Sequence, residues 1–251
     1  MENKEKEVII SVKNLTKDYG RNRGIFDISF DVYKGTVFGY CGTNGSGKTT
    51  TLRHIMGFLK PQKGSVTVKG MDAWKDADEI KKIVDISPQE SAVALNLTVK
   101  ENLIFFQEIY DKKDKEYLEF IINSLGLKEV MNRRAKTLSG GYQRRLSIAI
   151  GLVSKPEILF LDEPTLGLDV ISRRELWKII EYFKGKVTII LTSHYLEEIE
   201  ALCDKVAIMS KGNVLCEGTV EEIKNIANED SFEEAFVKIV GGQDEKDINI
   251  Y

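Results

Sequence analysis

The chain reads as an α/β fold: a largely parallel core with an antiparallel β subdomain at its N-terminal side and an inserted α-helical subdomain. Three observations predict it. A glycine-rich turn, Gly42-Thr43-Asn44-Gly45-Ser46-Gly47-Lys48-Thr49-Thr50, joins a short apolar strand to an amphipathic helix. Two continuous apolar runs further on, Ile158 to Leu161 and Val187 to Leu191, have the character of strands buried on both faces. From about Gln89 to Pro156, strand signals vanish and apolar residues recur at helical spacing.

Taken in order, Val8-Ile9-Ile10-Ser11-Val12 reads as a first strand. Ile25 to Tyr33 alternates Ile28, Phe30 and Val32 with Asp27, Ser29 and Asp31, the pattern of a half-buried strand. Lys34-Gly35 turns it into Val37-Phe38-Gly39-Tyr40-Cys41, the strand entering the glycine-rich turn. Thr50 to Phe58 is expected to leave it as a helix with Leu52, Ile55, Met56 and Leu59 on one face. Ser65 to Lys69, after the Pro61/Gly64 breaker, adds a short strand, and early antiparallel strands before a parallel core predict an antiparallel edge. In the helical region, Val99, Leu103, Phe106 and Tyr110 share a face, as do Leu118, Ile121, Ile122 and Leu125. Leu146 to Val153 is apolar nearly all round and predicts a buried helix. Leu176, Ile179, Ile180 and Phe183 mark an amphipathic helix. Val206 to Met209 and Val214 to Cys216, joined by Ser210-Lys211-Gly212-Asn213, read as a hairpin. The expected organisation is one domain: a core at about 7–88 and 157–218, a helical subdomain at about 89–156 and a helical tail at 219–251, its last residues from Gln243 polar and frayed.

Composition narrows the function. The 251 residues are 42% hydrophobic and 30% charged, with a formal charge of −3, so no global field draws the chain to nucleic acid or anionic lipid. Cys41, Cys203 and Cys216 are scattered, without metal-ligand spacing, and read as small hydrophobes of a reducing compartment. No apolar run approaches the roughly 18 residues of a membrane helix. The mixed-charge run Met1 to Glu7 lacks a signal-peptide core. At a membrane, a partner chain would have to hold this one.

The turn fits G-x-x-x-x-G-K-[ST], the P-loop pattern. Glycines let the backbone curl around phosphate oxygens, and the curled N–H groups with the following helix N-terminus make an anion nest. Lys48 would reach the β- and γ-phosphates and the Thr49 hydroxyl would bind Mg²⁺. Leu161-Asp162-Glu163-Pro164 ends a buried strand in two carboxylates. In a P-loop protein Asp162 would hold Mg²⁺, and Glu163 would orient or deprotonate the attacking water. Leu138-Ser139-Gly140-Gly141-Tyr142-Gln143-Arg144-Arg145 opens a helix on an N-cap serine and two glycines, a second anion site.

In this order the P-loop, Gln89, Leu-Ser-Gly-Gly, Leu-Asp-Glu-Pro, Gly167-Leu168-Asp169 and His194 resemble the nucleotide-binding subunit of an ATP-binding cassette (ABC) transporter, from about Val8 to Gly218. The resemblance implies the ABC ATPase form of the P-loop NTPase core, with ATP and Mg²⁺ as ligands. It implies that Tyr19 stacks on adenine and that Gly42, Asn44, Gly45, Ser46, Gly47, Lys48, Thr49 and Thr50 hold the phosphates. Gln89 would touch Mg²⁺ and the attacking water, and His194 the γ-phosphate. Ser139, Gly140, Gly141 and Gln143 would close on ATP held by another protomer in a head-to-tail dimer, with Asp169 crossing between protomers. Thr43 stands where proline is frequent, and Tyr142 where glutamine often follows the signature glycines. Neither removes a phosphate ligand or Glu163, so an active ATPase is expected.

The short tail and Leu97-Thr98-Val99-Lys100-Glu101-Asn102-Leu103 look most like exporters of the ABC-2 type, whose membrane subunit is a separate chain. The expected partners are a second copy or a paralogous ATPase subunit and an integral membrane permease, with no nucleic acid. The expected place is the cytoplasmic face of the cell membrane, and the cargo a peptide or drug. A soluble assembly ATPase, such as those of iron–sulfur clusters, is the alternative. A docking groove for the permease is expected near Ser91 to Phe106, from Val93, Leu95, Leu97, Phe105 and Phe106, although Phe105 and Phe106 suit the subdomain core equally.

Overall fold

The computed structural model describes residues 7–21, 23–90 and 92–248, the side chains of 243–248 excepted. The expectations for residues 1–6, Ser91 and 249–251 lie outside the described residues. In chain order the elements are β1 (Val8–Asp18), β2 (Gly24–Tyr33), β3 (Val37–Gly42), α1 (Lys48–Ile55), β4 (Lys63–Val68), β5 (Met71–Asp72), α2 (Ala77–Ile80), β6 (Val84–Ser87), α3 (Val99–Ile109), α4 (Lys115–Ser124), α5 (Gly140–Val153), β7 (Ile158–Asp162), α6 (Val170–Phe183), β8 (Thr188–Thr192), α7 (Leu196–Leu202), β9 (Lys205–Ser210), β10 (Asn213–Gly218), α8 (Val220–Ala227) and α9 (Phe232–Ile248). Short 3₁₀ turns at Lys128–Val130 and Ala135–Thr137 precede α5. The chain divides into two compact units, residues up to Lys81 with those from Thr192 onward, and Lys82–Leu191.

The first unit carries the antiparallel sheet, in the order β2-β1-β4-β5. The alternation read in β2 holds, with Ile28, Phe30 and Val32 buried. β1 runs well past the expected Val12 because a bulge carries it through: Asn14 and Asp27 both take left-handed φ, and the Asn14 amide donates to Asp27 Oδ1 at 2.8 Å. In the same unit β3 is buried along its whole length and pairs in parallel with β9, which forms the predicted hairpin with β10. Lys211 (φ 45°) and Gly212 (φ 82°) make its two-residue turn, the backbone twist that tight hairpins favour. Phe30 stacks on Phe38 at 5.2 Å between ring centres, and Tyr40 packs against Phe30 at 5.3 Å, an apolar plug behind the glycine-rich turn.

The second unit holds the parallel strands β6 and β7, paired from Val84↔Ile158 to Ser87↔Leu161, with β8 on the far side of β7. The helices expected between Gln89 and Pro156 are present. Thr98 and Glu101 close a reciprocal capping box at the start of α3, and Asp114 caps α4. Every residue of α5 from Leu146 to Val153 is buried, as its all-round apolar sequence predicts. In α6, Leu176, Ile179, Ile180 and Phe183 form the buried face.

Three differences have local causes. α1 spans Lys48–Ile55 rather than Thr50 to Phe58, because Gly57 takes φ 74° and turns the chain away, leaving Phe58 exposed. β6 carries no strand signal in sequence, because a four-residue strand with a polar Asp85 has too few positions to show a period; its pairing with β7 makes it a strand. α2 and α7 are four and seven residues long, likewise too short to announce themselves.

Candidate functional site

In the first unit the site is built where β3 gives way to α1. Gly42, Gly45 and Gly47 hold φ of 156°, 76° and 105°, conformations that side chains resist. Two of them are also wedged: a Cβ at Gly42 would lie 2.2 Å from the Met209 carbonyl oxygen, and one at Gly47 would lie 2.5 Å from Ile25 Cγ2. Gly45 differs, since a Cβ there would meet nothing within 4 Å; it faces open space. The turn is pinned by Ser46 N–H donating to Thr43 O at 3.2 Å and by Gly212 N–H donating to Ser46 O at 3.0 Å. Tyr40 fixes the relation of strand to helix, its hydroxyl 3.1 Å from Thr51 Oγ1, and burial pushes that phenol well above its usual range. Burial also pushes the Cys41 thiol up to about 12, so it is an inert core group.

Inside this cradle the Lys48 amine donates to the carbonyls of Gly42 at 2.8 Å and Thr43 at 3.2 Å. Ser46 is 1% exposed and its Oγ has no hydrogen-bond partner, a buried polar atom of the kind a phosphate oxygen would satisfy. Asn44 and Thr49 are exposed beside it and Thr50 is half-buried. With the positive end of the α1 dipole, these residues fit a polyphosphate. Tyr19, immediately after β1, is 51% exposed, with Lys17 Nζ 5.7 Å from its ring centre. His194 is exposed on the loop after β8.

The second unit carries the remaining predicted residues. Asp162 ends β7 half-buried. Glu163 follows at 6% exposure in a left-handed conformation, φ 49°, which an ordinary side chain adopts at a penalty on the order of 1–3 kcal/mol. Gln89 lies exposed two residues beyond β6. Ser139 is the N-cap residue of α5, as its sequence predicts, yet its hydroxyl makes no capping hydrogen bond. Gly141 is needed for close helix packing, because a Cβ there would come 3.0 Å from Ser172 Oγ; at Gly140 the nearest atom would be Leu168 Cδ2 at an ordinary 3.6 Å. The Gln143 amide is engaged within its own unit, donating to the carbonyls of Ala135 at 3.1 Å and Leu138 at 3.4 Å. Asp169 is the N-cap of α6: its carboxylate accepts from the N–H groups of Ile171 and Ser172 and from the Ser172 hydroxyl at 2.7 Å. Those bonds, the Ser172 N–H first, hold its pKa below the usual carboxylate range.

Sequence reasoning passed over Arg144, which is 5% exposed and bonds to backbone beside both Gln89 and Glu163. No local signal marks it, because its partners are main-chain oxygens distant in the chain. Of the expected groove residues, Val93 is buried (8% exposed), Leu95 and Phe105 are exposed (50% and 49%), and Leu97 and Phe106 are half-buried; Ile104 and Ile109, which the sequence reading did not name, are exposed beside them. Phe105 therefore belongs to the surface, and Val93 to the core.

A strand, a glycine-cradled turn and a lysine on the first turn of a helix define this as a P-loop nucleotide-binding protein. A family model described as ABC transporter matches residues 25–166. The chain is 33% identical over 252 residues to the probable multidrug ABC transporter ATP-binding protein YbhF of Escherichia coli, covering 97% of this chain and 43% of that protein, so it spans less than half of that relative's length. It is 36% identical over 223 residues to the linearmycin resistance ATP-binding protein LnrL of Bacillus subtilis, covering 86% of this chain and 70% of that one. A solved ATP-binding subunit of an ABC transporter superposes with a TM-score of 0.80 at 25% identity, over 92% of this chain and 99% of the other. The chain belongs to the ABC transporter family, and is its ATP-binding domain, the ATPase of such transporters. Among the described residues, no helix is long and apolar enough to cross a membrane.

Proposed function

We propose that this chain is the ATP-hydrolysing subunit of an ABC exporter, that it works as one of a pair of such subunits, and that a separate membrane subunit holds it at the cytoplasmic face of a membrane. The observation that carries the nucleotide reading is the turn itself, which is open at Gly45, holds the buried Ser46 hydroxyl without a partner and parks the Lys48 amine on the carbonyls of Gly42 and Thr43. In this reading Lys48 exchanges two carbonyls for β- and γ-phosphate oxygens. Backbone N–H groups from Gly42 to Thr50 hold the remaining charge. The exposed Tyr19 ring stacks on adenine.

Thr49, Gln89 and Asp162 offer the oxygen donors that Mg²⁺ takes, and the ion would supply charge neutralisation at the phosphate oxygens. Glu163 accepts a proton from the attacking water, and His194 steadies the γ-phosphate. The uncommitted Ser139 hydroxyl and the start of α5 support an anion site that closes on ATP carried by the second protomer. Gln143 and Asp169 would have to give up the bonds described above to take part in that interface. Docking of the membrane subunit is supported by the exposed apolar residues Leu95, Ile104, Phe105 and Ile109. The names of the Escherichia coli and Bacillus subtilis relatives, multidrug and linearmycin resistance, favour the drug side of the expected peptide-or-drug cargo.

The test is a pull-down from the native cell with the tagged Glu163→Gln chain, in mild detergent with ATP. Glu163→Gln is expected to slow turnover about 10²- to 10⁴-fold, the range of a general base, and to trap an ATP-loaded dimer. A multi-spanning membrane protein recovered at comparable amount supports the exporter. Recovery of a soluble assembly partner alone moves the function to a scaffold ATPase. Lys48→Ala with undiminished ATP binding would remove the P-loop assignment.

A further inference from the structure

We infer that Arg144 is a positioning residue for hydrolysis, holding the Glu163 bend and the Gln89 segment in register with the start of the signature helix α5. The inference deepens the proposed function and rests on Glu163 acting as the base. Arg144 sits one turn beyond the N-cap Ser139 and is 5% exposed. Its Nε donates to Pro164 O at 2.8 Å and its Nη2 to Asp162 O, so two bonds grip the backbone on either side of Glu163. Nη1 donates to Pro88 O and, at 3.4 Å, to Gln89 O, the segment that carries the other water-facing side chain.

The left-handed backbone at Glu163 does not hold itself, since a residue at φ 49° relaxes unless its surroundings forbid it. A guanidinium suits this role because its donors form a rigid planar fork that reaches several carbonyls at once, whereas an ammonium presents its donors from one point. The acceptors are all main-chain oxygens, so no substitution at Pro88, Gln89, Asp162 or Pro164 deletes them, and Arg144 is the handle by which the arrangement can be broken. Displacing a base by about 1 Å lowers a rate by as much as 10²-fold. A shift of α5 on dimer closure would therefore be felt at Glu163 and Gln89 together.

The experiment measures ATP turnover, the affinity for a fluorescent ATP analogue and thermal unfolding of the full chain carrying Arg144→Lys or Arg144→Gln, each alone and with Glu163→Gln. Arg144→Lys is expected to lower kcat about 10- to 100-fold, with KM and analogue affinity within about twofold of the parent. In the Glu163→Gln background it should lower the residual rate less than about threefold, because there is no longer a base to misplace. Arg144→Lys keeps the buried charge and decides the matter even if Arg144→Gln fails to fold. A kcat within twofold of the parent, a loss that multiplies fully with that of Glu163→Gln, or an equal loss of analogue affinity would each overturn the inference. Wild-type turnover by Glu163→Gln alone would overturn both it and the base assignment, which separates the two failures.

Discussion

Replacing Gly45 and Gly47 by alanine, one at a time, separates what the fold asks of the glycine-rich turn from what a ligand asks of it. At Gly47 the added Cβ would sit 2.5 Å from Ile25 Cγ2 and 3.3 Å from Met209 Cε. Carbon atoms in good contact lie at about 3.5–4.0 Å, so the overlap with Ile25 is about 1 Å. Relief requires β2 or the turn to move, which costs about 1–3 kcal/mol as overpacking. The backbone, at φ 105°, adds about 1–3 kcal/mol of its own. Gly47→Ala should therefore lose about 2–6 kcal/mol, a large share of the roughly 5–15 kcal/mol that holds a domain together. Gly45→Ala meets nothing within 4 Å and carries only its left-handed backbone, φ 76°, so about 1–2 kcal/mol is expected. Its Cβ enters the space assigned to phosphate, and nucleotide affinity should fall more than about tenfold, or about 1.4 kcal/mol. Urea unfolding and titration with a fluorescent ATP analogue measure the two quantities on the same samples. If Gly47→Ala were as stable as the parent, the packing argument would fail. If Gly45→Ala bound the analogue normally, the open side of the turn would not be the phosphate side.

Three further outcomes follow from individual contacts. Burial, opposed by hydrogen bonds from Ser154, Ile86 N–H and Tyr110, raises the Asp85 pKa above its unfolded value; the stability this contributes is present below the usual carboxylate pKa and lost as pH rises through the folded one. Asp85→Asn should flatten the decline in urea midpoint as pH rises above the usual carboxylate range; an unchanged slope would contradict the burial argument. Val93→Asp places a charge at an 8% exposed site and should destabilise by more than about 3 kcal/mol, whereas Leu95→Asp, at a 50% exposed site, should change stability by less than about 0.5 kcal/mol while lowering transport per ATP hydrolysed in reconstituted vesicles. Gly140→Ala meets only an ordinary 3.6 Å contact and should leave the melting temperature unchanged or raised, yet prevent the ATP-loaded dimer of the Glu163→Gln protein on gel filtration; persistence of that dimer would exclude the start of α5 from the interface.

Much of the fold is legible in the sequence. The strand entering the turn, the helix leaving it, the buried α5 and the hairpin all announce themselves through apolar period or turn chemistry over enough residues to count. The parts of the site that are not legible are those decided by neighbours distant in sequence. Nothing local makes Val84–Ser87 a strand; its pairing with Ile158–Leu161 does. Arg144 looks like any helix arginine until its carbonyl partners, far away in sequence, are brought to it. Asp169 and Gln143 read as ligands by position in a motif, while their side chains are already engaged by Ser172 and by the Ala135 loop. Val93 and Leu95 are two residues apart and equally apolar, and only packing sends one inward and leaves the other at the surface.

The linear order of residue types by itself determined the chemistry this chain can perform, because the requirements of a polyphosphate are local: glycines free to curl, a lysine at the helix start, carboxylates at the end of an apolar strand. The tertiary structure decided which of those groups are free to act and which are spent on holding the fold. Only packing creates the left-handed bend at Glu163, wedges Gly47 against Ile25 while leaving Gly45 open, and buries Ser46 without a partner. Those properties depend on atoms that lie far apart in the chain and meet only when it folds.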